Sequence, residues 1–171
     1  MAMQAWAREM ARYNRWQNAT LYRLTDQLSD TERRQGREMF FGSIHHTLDH
    51  ILMVDTRLAV MVESGAPANE PFQPRKLIYP EYALLAKARQ ILDERLIRMA
   101  DGHDDAWFDE EFAFTSLLSG QPRLLPRHFY LGQLFNHATH HRSQVTAVLH
   151  TLRLDYASTD LPMNPDTIYA T

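Results

Sequence analysis

Phe135-Asn136-His137-Ala138-Thr139-His140-His141-Arg142-Ser143-Gln144 holds three of the nine histidines of the chain, and the reading of this stretch decides the fold. As a helix it places His137 and His141 at i, i+4, on one face, with Cβ atoms about 5–6 Å apart. Two imidazoles so placed can reach one metal ion at about 2.0–2.1 Å. The flanks support the helix. Leu134, Ala138, Val145, Val148 and Leu152 recur at the helical period, which predicts a helix over residues 127–152 with one apolar face. His141 falls near the centre of that face. His137 lies roughly 60° to one side, with Gln144 close to it. His140 sits further round the same flank, and His150 points nearly opposite, to the surface.

Three more helices are predicted by the same period. Residues 3–28 carry Trp6, Met10, Tyr13, Leu21, Leu24 and Leu28 on one face, with Gln17 and Thr20 inside the stripe. Ser29-Asp30-Thr31-Glu32 reads as a turn rich in cap-forming residues. Residues 39–64 carry Phe40, Ile44, Leu48, Ile51, Leu58 and Val62, and end at Gly65-Ala66-Pro67. Residues 66–79 contain three prolines and form a long crossover. Residues 81–100 carry Tyr82, Leu85, Ala88, Leu92, Leu96 and Met99, with Pro80 before them and Gly102 after. Residues 103–125, with Trp107, Phe108, Phe112 and Phe114, read as two short extended pieces around Ser119-Gly120-Gln121-Pro122, a small β-hairpin before the last helix. The tail from Asp155 is irregular. The expected architecture is all-α: one four-helix-bundle domain over residues 1–171, with a long crossover between its second and third helices.

Composition narrows the function. A chain of 171 residues suits a single domain. A net charge of −3 argues against a nucleic-acid partner held by bulk electrostatics. The absence of cysteine excludes disulfides, thiolate ligands and a cysteine nucleophile. The N-terminal residues lack the pattern of a signal peptide, and no apolar run approaches the ~18 residues of a membrane span. The expected location is the cytoplasm, with no membrane partner.

A third imidazole must come from elsewhere. His45, His46 and His50 all sit on the second helix, and His46 with His50 repeats the i, i+4 spacing. The helical wheel turns His46 away from the apolar stripe, puts His45 on one flank and His50 on the other, beside Val54 and Thr47. His50 is the best placed. Asp55 falls in the middle of the stripe, where an unpaired charge costs several kcal/mol. It pairs with a core arginine such as Arg89, or meets a Tyr or Trp donor, or orients a ligand imidazole; structural pairing is preferred. The residues alone leave two readings of His137 and His141, metal ligands or hydrogen-bonded core histidines. Ala138-Thr139-His140 supplies no carboxylate base, so this is no H-E-x-x-H metalloprotease motif.

Three segments together resemble a known family. They are Tyr13-Asn14-Arg15-Trp16-Gln17-Asn18, then Phe40-Phe41-Gly42-Ser43-Ile44-His45-His46-Thr47-Leu48-Asp49-His50 with the residues to Asp55, then Leu134 to Gln144. In order and separation the chain resembles the DinB (damage-inducible) family of metal-dependent proteins. The resemblance implies a four-helix bundle, often a homodimer. It also implies a divalent metal held by His50, in a Thr-Leu-x-His context, and by His137 and His141, in a His-x-x-x-His-Arg context. Ser143 departs from the Gly usual at that place in the family.

Three neutral imidazoles with open positions suit Zn²⁺ or Ni²⁺ and make a catalytic rather than a closed structural centre. Relatives in the wider superfamily activate a low-molecular-weight thiol, so the implied activity is that of a metal-dependent thiol S-transferase or a hydrolase acting on a small molecule. His140 and Gln144 would be polar groups of its pocket. The alternatives are a stress-related binding protein with a mainly structural metal, and a plain bundle with satisfied core histidines. Because ligand imidazoles must be neutral, metal affinity is expected to fall as pH drops through about 6.5.

Overall fold

The structure is a computed structural model that describes residues 2–67, 71–115 and 120–169. Among these residues six α-helices and one two-stranded sheet follow in the order α1 (Met3–Thr25), α2 (Asp30–Arg34), α3 (Ile44–Ser64), α4 (Tyr82–Gly102), α5 (Asp105–Asp109), β1 (Glu111–Thr115), β2 (Pro122–Pro126) and α6 (Arg127–Thr151), and the tail, otherwise irregular as expected, holds one short 3-10 turn (Leu161–Met163). The four long helices are the four that the apolar period predicts.

Their boundaries follow local chemistry. α2 begins where the sequence holds its cap-forming turn. Ser29 accepts from the Glu32 amide at 3.2 Å while Glu32 accepts from the Ser29 amide at 2.7 Å, a reciprocal capping box. α3 starts five residues later than residue 39. Gly42 takes φ +81°, and the Ser43 side chain caps the helix by accepting from the His46 amide at 3.2 Å. Phe40, predicted in the buried stripe, therefore lies ahead of the helix and is 63% exposed. α3 ends at Gly65, in the left-handed region at φ +63°. A Cβ there would come within 2.8 Å of the Arg127 guanidinium, so both backbone and neighbour demand glycine.

Residues 103–125 need one correction. Trp107 and Phe108, read as extended, belong to the short helix α5, whose N-cap Asp104 accepts from the Trp107 amide at 3.0 Å. The hairpin itself is present, with β1 and β2 antiparallel and Glu111 opposite Pro126. Ser119 of its predicted turn lies outside the described residues.

Side-chain links give the directions of the long helices. Tyr82 meets Thr25 at 2.7 Å, and Arg8 pairs with Asp101, so α4 runs antiparallel to α1. Asp55 pairs with Arg89 and Glu63 with Arg95, so α3 and α4 run parallel. Arg127 reaches the carbonyl of Val62 while His137 lies beside His50, so α6 returns antiparallel to α3. The packing closes in a ring, α1 on α4, α4 on α3, α3 on α6, α6 on α1. The connection after α3 consequently travels back to the start of that helix. There the Asp49 carboxylate accepts from the amides of Ile78 and Tyr79, at 2.9 and 2.7 Å.

The core is built from Leu48, Leu52, Leu85, Leu92, Leu96, Leu131 and Leu134, all nearly fully buried. Each such side chain contributes about 1.5–3 kcal/mol of transfer free energy. The tail is held by Glu9 of α1, buried, whose carboxylate accepts from Asn164 Nδ2, Thr167 Oγ1 and the Ile168 amide, each at 2.9 Å. Gln17, noted as polar within the first stripe, faces the Ser158 carbonyl at 3.4 Å. Among the described residues no helix is long and apolar enough to cross a membrane.

Candidate metal centre

Antiparallel packing of α3 against α6 brings His50, His137 and His141 together, with one ring nitrogen from each within 4.8 Å of the others. The Nε2 atoms of His50 and His137 are 3.1 Å apart. Nitrogens bound to a common ion at about 2.1 Å stand about 3.0–3.4 Å apart for right-angled to tetrahedral geometry. The spacing of this pair therefore fits an ion. The other two ring pairs approach at centroid distances of 4.9 Å (His50 and His141) and 4.5 Å (His137 and His141), close to edge-on.

Hydrogen bonds select the tautomers. His50 Nδ1 lies 3.0 Å from the carbonyl oxygen of Pro74, which can only accept, so Nδ1 carries the proton and Nε2 presents its lone pair. His141 Nδ1 faces Gln144 Oε1 at 3.2 Å, which again protonates Nδ1 and frees Nε2. Both rings hold the tautomer that a ligand imidazole needs. His137 departs from this pattern. Its Nδ1 is buried with no hydrogen-bond partner among the described residues.

Electrostatics keep the cluster neutral. Burial lowers His50 to about 4, and burial together with the neighbouring His141 lowers His137 to about 3. Burial likewise lowers His141. The donor set is therefore three uncharged imidazoles near neutral pH. That chemistry suits a borderline-soft divalent cation.

Phe41 covers one side, stacked on His50 at 3.8 Å between centroids. A cleft of about 870 Å³ opens over the cluster. The hairpin helps wall it, through Phe114, Arg123 and Leu125, and the connection after α3 contributes Phe72, Pro74 and Arg75. His140 and Gln144 line the cleft too, as the sequence reading expected of pocket polar groups. The exposed His140 ring stands 4.8 Å from that of His141. The other histidine candidates fall away. His46 is exposed, and His45 is buried with Nε2 donating to the Tyr79 carbonyl at 2.8 Å.

Behind the cluster lies a buried polar network that touches all four long helices. Arg142, next after His141, turns inward and donates to Asn14, to Asn18 at 3.3 Å and to Thr139 at 3.0 Å. Asn18 donates to Asp93 at 2.9 Å, Asp93 contacts Arg89 at 2.8 Å, and Arg89 donates to Asp55 at 2.7 Å. Two carboxylates and two guanidiniums so balance in charge. Burial pushes Asp55 up to about 6 against the pull of Arg89, and brings Arg142 down to about 10. Of the readings open for Asp55, the pairing with Arg89 is the one observed.

Several residues of the site carried no sequence signal of their own. Phe41 adjoins the helix start but reads as an ordinary apolar residue. Pro74 contributes only a backbone carbonyl. Arg75 and Arg123 are surface arginines until the fold places them. The model of the DinB family matches residues 3–169, nearly the whole chain. No curated protein matches it.

Proposed function

This chain belongs to the DinB family, and on that premise we propose that His50, His137 and His141 are the ligands of one divalent ion, Zn²⁺ or Ni²⁺, in a metal-dependent enzyme. The observation that carries this reading is the convergence of three neutral ring nitrogens within 4.8 Å at the foot of an open cleft. With three protein ligands, positions remain for a substrate atom, as in catalytic rather than closed structural sites. The reaction class is thiol S-transfer or hydrolysis on a small molecule. The bound ion would supply Lewis acidity that makes a ligated thiol or water nucleophilic near neutral pH.

The residues of the chain do the remaining work. The Pro74 carbonyl and Gln144 fix the His50 and His141 rings with Nε2 free. Phe41 and the apolar cleft walls exclude water from one side. His140, exposed at the cleft, would offer a polar contact to a bound substrate. The wider proposal takes the ring of long helices as a four-helix bundle that works as a cytoplasmic homodimer.

A second reading makes the ion mainly structural. It draws support from the two elements that provide the ligands, since an ion between α3 and α6 would tie those helices together. Elemental analysis of the purified chain, followed by Co²⁺ substitution and titration with small thiols, tests both. Divalent metal lost in His137→Ala, with a thiol-dependent change in the Co²⁺ spectrum, is expected for the enzyme. Unchanged metal content in His137→Ala overturns the ligand assignment. A thiol-insensitive spectrum together with a melting temperature lowered by metal removal favours the structural ion.

A further inference from the structure

The cleft above the histidines differs in charge from the rest of the molecule. The chain carries 21 acidic against 18 basic residues. Yet the cleft lining includes three guanidiniums, of Arg57, Arg75 and Arg123, and no carboxylate among the described residues.

The state of those arginines matters more than their number. Elsewhere in the fold, arginines such as Arg15, Arg89, Arg95 and Arg127 are ion-paired with carboxylates. Arg75 instead lies over the exposed ring of Phe40, 5.1 Å from its centroid. Among the described residues Arg123 donates to the carbonyl of the preceding Pro122, at 3.4 Å. Neither meets a carboxylate among the described residues. They come from separate segments, the connection after α3 and strand β2, and both reach the same cavity.

Between them the walls are apolar. Phe72 and Phe129 are 36% and 54% exposed, and Phe114 stands edge-on to Tyr130 at 5.2 Å. Exposed aromatic surface of this kind, gathered in one concavity, marks a ligand site. The volume of about 870 Å³ admits a molecule of drug-like size.

We propose that the cleft binds an organic anion with an apolar body, its carboxylate or phosphate held by Arg75 and Arg123 and its body lying against Phe72, Phe114 and Phe129. This rests on the reading of the three histidines as the reacting centre and adds the charge class of what reaches it. Arginine suits the task because its planar fork pairs bidentately with either headgroup.

Calorimetric titration of the full purified chain with octanoate, octyl phosphate, octanol and octylamine tests the assignment, with metal content and melting temperature measured on the same samples. One or both anions are expected to bind at least about tenfold tighter than octanol, the affinity change for about 1.4 kcal/mol. The stronger of the two identifies the headgroup. The Arg75→Gln, Arg123→Gln chain is expected to keep its melting temperature and metal and lose that preference, and the Arg75→Lys, Arg123→Lys chain to retain part of it. Octanol binding as tightly as the anions overturns the proposal. So does a preference that persists in the glutamine variant, since it would then come from other groups. Metal-free protein that still prefers anions sinks the metal reading alone, whereas metal-loaded protein without preference sinks this one alone.

Discussion

His50 donates through Nδ1 to the carbonyl oxygen of Pro74 at 3.0 Å. One bond thus joins a candidate ligand on α3 to the proline-containing connection that follows it. The same connection is pinned further along by Asp49, buried on α3, which accepts from the Ile78 and Tyr79 amides. The connection that accepts from the His50 ring is thus itself held by a carboxylate that does not touch the ring.

Asp49→Ala should release residues 77–79 and, through Pro74, loosen His50. Partners behind a ligand typically account for 10–100-fold in metal affinity, so a loss of about tenfold is expected. Asn, which keeps one acceptor, should lose less. Competition with a chelating dye reads this directly, and identical affinities in wild type and Asp49→Ala would show that the connection does not position the ring.

The pH dependence moves below the range expected from sequence. Three free histidines of pKa about 6.5 would cost about thirtyfold in metal affinity between pH 7.0 and 6.0. With His50 lowered to about 4 and His137 to about 3, those two rings stay unprotonated across that interval; His141 is lowered as well, so the affinities should agree within about threefold. Stability follows the same sign for these groups. Unfolded histidine binds protons between about pH 4 and 6.5 that the folded His50 ring refuses, so its contribution is whole above about 6.5 and declines as pH falls toward 4. Asp55, raised to about 6, acts in the opposite sense, losing its contribution as pH rises from about 3.9 through 6. Metal titration separates the histidines from that opposing group. A thirtyfold difference between the two pH values would mean the imidazoles are not buried as described.

Breaking the buried network on one side should cost more than replacing a pair. Asp55→Leu leaves the buried guanidiniums of Arg89 and Arg142 to share the Asp93 carboxylate, and about 3–5 kcal/mol of destabilisation is expected. Adding Arg89→Met leaves Asp93 and Arg142 to balance each other, and the double variant should be more stable than the single one. Urea denaturation of the three proteins decides, and a double variant weaker than Asp55→Leu would refute the charge-balance account.

Glu9→Ala should free the tail. Three acceptor bonds hold residues 164–168 to α1, and their loss exposes that segment while costing about 1–3 kcal/mol. Limited proteolysis should cut the variant within residues 158–169 before any helix is cleaved. A tail as resistant as that of the wild type would mean other contacts suffice.

The long helices and their inner faces were legible in the sequence because they rest on local repetition. Apolar residues spaced by one turn, the cap-forming turn at Ser29 and Gly65 as a stop act within a few neighbours along the chain. The choice of His50 over His46 is of this kind, since the wheel separates a buried flank from an exposed one. Where local signals compete, the structure departs from the periodicity. Gly42 at φ +81° halts the helix before Phe40, and Asp104 caps a helical turn through Trp107 where aromatic residues suggested a strand.

Tertiary structure decided the rest. His50 and His137 are 87 positions apart, and only the antiparallel return of α6 along α3 sets their nitrogens at 3.1 Å. The acceptor behind His50 is a backbone carbonyl, which every residue possesses, so no side-chain pattern marks it. Arg75 and Arg123 became walls of one cleft because a connection and a hairpin meet above the histidines. Periodicity fixes which face of a helix turns inward; what that face meets depends on how distant helices pack, and packing placed the polar partners of this site.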